Sequence, residues 1–111
     1  MRFMPLFLFA FAALFLPGVA ARAAMPAPYT ITLKNGKFTP ANLSLPANKK
    51  IKLTVRNEDA MPVEFESSDL DREQVVAAHD DIIVYLGPLQ SGVYNYFDDF
   101  NRKITGKITV K

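Results

Sequence analysis

The chain has 111 residues, with 13 Lys and Arg against 11 Asp and Glu, one histidine and no cysteine. That length supports one modest core, and the missing thiols exclude disulfides and every thiolate metal site. A formal net charge of +2 gives nucleic-acid binding no electrostatic support.

The N-terminus combines Arg2, an apolar run from Phe3 to Leu16, a Pro17-Gly18 break and the small residues around Ala21-Arg22-Ala23. This is the pattern of a secretory signal peptide over residues 1–23, cleaved before Ala24 and too short to span a membrane with confidence. The expected mature protein is one domain, 24–111. Its charge balances at 11 basic and 11 acidic residues, but unevenly along the chain. All the acids lie between Glu58 and Asp99, where Arg72 is the only base. Either a sandwich interleaves the oppositely charged segments, or the acids form one face suited to a cation.

A short Pro-rich lead is followed by all-β punctuation. Tyr29 to Leu33 alternates and ends at Asn35-Gly36, a strong tight-turn dipeptide. Leu45 closes a strand before a turn at Pro46 to Lys49, and "IKLTVRN" sends Ile51, Leu53 and Val55 one way and Lys52, Thr54 and Arg56 the other. "VEFES" gives Val63 and Phe65 a common face. "REQVVAAHDD" fits a helical turn or a short edge strand. "IIVYLGPL" is an apolar strand closed by Gly87-Pro88, and "SGVYNYF" and "KITGKITV" complete the set. Seven or eight short strands in this length predict an all-β, Greek-key β-sandwich.

If Val63 and Phe65 enter the core, Glu64 and Glu66 project together on the opposite side, with Cα atoms about 6.5 Å apart. Two carboxylates so placed raise each other's pKa unless solvated or bridged by a cation. A second acidic group, Asp98-Asp99, follows the strand Tyr94 to Phe97. Four carboxylates from two segments would make a hard, oxygen-rich site favouring iron, manganese or calcium, although spacing alone does not bring them together. His79 reads as a solvated turn residue and Met61 as packing. With no Ser/His/Asp triad, phosphate loop or nucleophilic cysteine, hydrolase and transferase chemistry find no support.

The pieces "KFTPANLSLPANKKIKLTVRNED", "MPVEFESSDL", "LGPLQSGVYNYFDDFN" and "GKITV" resemble the cupredoxins, specifically the small periplasmic, EfeO-type domains that accompany high-affinity iron permeases. The resemblance implies a cupredoxin-like sandwich in the periplasm, with the loops after Phe65 and after Phe97 side by side at one end. It also argues against blue copper, which needs a Cys thiolate, two His and a weak axial ligand. Asp98 stands where that Cys would be, Asn101 where the following His would be, Ile104 roughly at the axial position, and Val63 or Glu64 at the first His.

The implied function is binding of an iron or copper ion by Glu64, Glu66, Asp98 and Asp99. The protein would then assist ferrous iron oxidation, or delivery to a membrane iron permease or another periplasmic uptake component. Catalytically it is at most an accessory to iron oxidation, because without a His or thiolate the electron acceptor must come from elsewhere. The alternative is a metal-free interaction module that docks through its acidic end.

Overall fold

The computed structural model describes residues 25–111, so the expected signal peptide and its expected cleavage site lie outside the described residues. Nine strands follow in chain order: β1 (Ala27–Lys34), β2 (Lys37–Thr39), β3 (Asn42–Leu45), β4 (Ile51–Asn57), β5 (Val63–Ser67), β6 (Arg72–Val76), β7 (Asp81–Leu86), β8 (Gly92–Asp98) and β9 (Asn101–Val110). They form a four-stranded sheet in the order β2-β1-β4-β7 and a five-stranded sheet in the order β3-β9-β8-β5-β6.

The all-β sandwich agrees with the pattern of alternation, and the two extra strands have local causes. Asn35 and Gly36 both hold positive φ, 53° and 69°, and pair Lys34 with Lys37 across a two-residue turn, which creates the three-residue β2. "REQVV" resolves as the edge strand β6, antiparallel to β5 with Glu66 opposite Glu73. Two pairings are parallel, β1 with β4 and β3 with β9, and the rest are antiparallel.

Period-2 alternation fills the space between the sheets. From β4 come Ile51, Leu53 and Val55, from β5 Val63 and Phe65, from β9 Ile108 and Val110, each at most 1% exposed. Tyr96 lies at the centre of this core, its ring edge-on to Phe38 at 4.9 Å and tilted against Phe65 at 5.2 Å. Its hydroxyl is buried without a hydrogen-bond partner, and burial pushes the phenol's pKa well above the ordinary tyrosine value.

The oppositely charged segments do interleave. Lys34 approaches Glu58 at 3.8 Å, Arg56 Nε meets Asp81 at 3.1 Å, and Arg102 Nη2 meets Asp99 at 2.7 Å. Each pair joins a basic stretch to the acidic middle of the chain. All three are solvent-facing and contribute modestly to stability.

Candidate metal centre

Alternation along β5 buries Val63, Phe65 and Ser67 and leaves Glu64 and Glu66 half-buried on the outer face of the five-stranded sheet. Asp99 joins them at the turn between β8 and β9, where its backbone N–H donates to the Glu64 carbonyl at 2.9 Å. One carboxylate oxygen from each of Glu64, Glu66 and Asp99 lies within 4.8 Å of the others. Three of the four carboxylates expected at the site are therefore together.

Asp98 is not among them. In β8 the buried Tyr96 and the half-buried Phe97 alternate, so Asp98 returns to the inner side, where it is 4% exposed. Its Oδ1 accepts the backbone N–H groups of Glu64 and Phe100, each at 3.0 Å. Asp98 thus clamps β5 to the β8–β9 turn, and adjacent aspartates take opposite roles because side chains alternate across a strand.

The loops after Phe65 and after Phe97 are not neighbours either. β5 and β8 run antiparallel, pairing Phe65 with Asp98 and Glu66 with Phe97, so the chain leaves these two points in opposite directions. Strand pairing, not loop packing, brings the glutamates to Asp99.

Glu73, which the linear pattern did not single out, adjoins the cluster. It stands opposite Glu66 in the β5–β6 hairpin, close enough to hydrogen-bond Glu64. That hydrogen bond, then partial desolvation, then the charges of Glu73, Asp99 and Glu66 push Glu64 up to about 7. Glu66 is also raised, first by desolvation and then by Asp99 and Glu73, with Arg102 opposing. Arg102 pairs with Asp99 and lies 5.5 Å from the Phe97 ring centroid, so one cation already flanks the cluster.

These shifts predict the pH dependence of the metal-free protein. Because Glu64 binds its proton more tightly when folded, its stabilising effect is complete below the unfolded value near 4.5 and is lost as pH rises through about 7. The melting temperature of the wild type should therefore fall between these values more steeply than that of Glu64→Gln. Parallel profiles would show that Glu64 does not titrate in this window.

The other end-on residues are gathered elsewhere. Asp98, Asn101 and Ile104, with Met61, Pro62 and Phe100, line a groove of about 520 Å³ at the end of the sandwich. Its two carboxylates are engaged, Asp98 as described and Asp59 by the backbone N–H groups of Asn35 and Gly36, and its other side-chain donors are the amides of Asn35 and Asn101 and the Met61 thioether. His79 is exposed in the turn before β7, with φ at 55°, and lies outside both the cluster and the groove.

The cupredoxin-like domain model matches residues 6–110. An uncharacterized protein of Rickettsia prowazekii (strain Madrid E), RP394, is 43% identical over 72 residues, covering 65% of this chain and 58% of its own length. The chain thus matches little more than half of that relative. Among solved structures, the Cu(I)-bound metal binding domain of the Cu(I) exporting P-type ATPase CopA of Streptococcus pneumoniae D39 superposes with a TM-score of 0.66 at 13% identity, over 76% of this chain and 84% of that one. A purple cupredoxin of Nitrosopumilus maritimus gives 0.59 at 22% identity, over 74% and 98%. At such identities the likeness is one of fold.

Proposed function

The chain belongs to the cupredoxin-like domain family, and from that premise we propose that it binds a hard cation, iron foremost, through Glu64, Glu66 and Asp99. The observation that carries this reading is the convergence of three carboxylates within 4.8 Å. Oxygen donors about 2.2 Å from one ion stand up to about 4.4 Å apart, so little movement would close the site. Glu73 is placed to add a fourth ligand or to orient Glu64.

The donor set selects the metal. Blue copper requires a thiolate and imidazoles, and by the resemblance the positions that would supply them hold Asp98, Asn101 and Val63 or Glu64. Carboxylates favour ferric over ferrous iron because the higher charge gains more from each anionic oxygen. Oxidation would therefore be assisted by stabilising its product, with the electron passing to an acceptor outside this chain. Within this reading the protein is an exported, EfeO-type accessory that holds iron and presents it to an uptake permease.

A second reading, a metal-free module docking through its acidic face, draws on the pairing of Arg102 with Asp99, which satisfies one carboxylate without a metal. Equilibrium dialysis of the 25–111 domain against manganous ion and ferric citrate separates the two. Saturable binding of one ion is expected, weakened at least about a hundredfold in Glu64→Gln/Glu66→Gln/Asp99→Asn and unchanged in Glu58→Gln. Absence of binding, or binding indifferent to the triple change, would leave the docking module as the better account.

A further inference from the structure

Four chain segments meet at the end of the sandwich opposite the Asp99 turn, to one side of the β5–β6 turn that carries Asp69 and Asp71. Ala27 N–H donates to the Lys50 carbonyl at 3.0 Å, Ala47 N–H to that of Lys111 at 2.9 Å, and Asn48 N–H to that of Leu89 at 2.9 Å. The first strand, the β3–β4 turn, the β7–β8 loop and Lys111 are thereby tied together. Lys49, Lys50 and Lys111 are exposed here, and residues 25–27, 46–50, 87–91 and 111 include no acid. Among the described residues none of these lysines pairs with a carboxylate.

Met25, 90% exposed, joins Ala27, Lys49, Lys50 and Pro88 around a groove of about 470 Å³. Two lysines beside an exposed apolar side chain match the layered chemistry of a bilayer surface, anionic outside and apolar beneath.

We propose that the pole formed by Met25, Lys49, Lys50 and Lys111 is a docking surface for anionic phospholipid, which orients the domain on the membrane with the Asp99 turn pointing away. The occupant is a lipid surface because the pole combines positive charge with an exposed apolar side chain, Met25. A soluble acidic partner would account only for the charge. This inference is independent of metal binding.

The 25–111 domain contains the whole core found among the described residues and is the appropriate test molecule. Co-sedimentation with vesicles of phosphatidylcholine alone or mixed with phosphatidylglycerol should show binding to the anionic vesicles only, reversed by salt. At roughly fivefold per lysine, Lys49→Gln/Lys50→Gln/Lys111→Gln should weaken partitioning by roughly a hundredfold. Lys34→Gln/Lys37→Gln/Lys103→Gln removes the same charge from other positions and should bind nearly as the wild type does. Met25→Ser should weaken binding further without abolishing its salt dependence. No binding to anionic vesicles, or equal loss in the two triple variants, would overturn the proposal.

Discussion

Substituting Gly106 by alanine is expected to lower the unfolding free energy by about 3 kcal/mol, as read from urea denaturation. Gly106 lies directly opposite Tyr96 on the neighbouring strand, and the phenol ring lies over it. An alanine Cβ would come 2.6 Å from Tyr96 Cε2 and overlap its Cζ and hydroxyl. The ring has nowhere to go, because Phe38 and Phe65 pack against it and it is only 1% exposed. In a close-packed interior such an overlap is relieved only by moving backbone.

Removing the ring should remove the penalty. In a Tyr96→Ala background, Gly106→Ala should cost less than about 1 kcal/mol, a coupling of about 2 kcal/mol between the two positions. Additive losses would mean that Gly106 matters for its backbone alone. Since Phe65 lies between Glu64 and Glu66 in β5 and touches Tyr96, a displaced ring should also spread the carboxylate cluster.

Asn57→Ala is the second large effect expected, about 3 kcal/mol on the same assay. Asn57 is fully buried, and its Nδ2 donates to the Met61 carbonyl at 2.8 Å, with the Val76 and Ala77 carbonyls also in reach at 3.3 and 3.2 Å. Its Oδ1 accepts the Asp59 N–H at 3.0 Å. One side chain thus joins the loop before β5 to the end of β6, and alanine leaves these backbone groups buried without partners. Asp59 in turn accepts the N–H groups of Asn35 and Gly36, at 2.7 and 2.9 Å, so the loss reaches the first hairpin. Faster hydrogen exchange at Asn35, Gly36 and Asp59 would register it. A variant that unfolds at the wild-type midpoint would refute this account.

The parts of this fold legible in the linear chain are those governed by neighbours. In β4, the alternation of Ile51, Leu53 and Val55 with Lys52, Thr54 and Arg56 is the burial pattern itself, and Asn35-Gly36 makes the turn it implies. The outward pairing of Glu64 with Glu66 was legible for the same reason. What escaped depends on register. Counting inward from Tyr96 would have separated Asp98 from Asp99, and closing the hairpin over residues 68–71 would have set Glu73 opposite Glu66. Asn57 gave no signal, because the carbonyls that it serves come from segments up to twenty residues away.

The two parallel pairings also dictate the order in which this molecule can be completed. β1 lies inside its sheet but has to wait for β4, and β3 has to wait for β9. Until β9 docks, the larger sheet has a gap beside its centre. The facing edges of β3 and β8 are unpaired in that interval and open to other proteins.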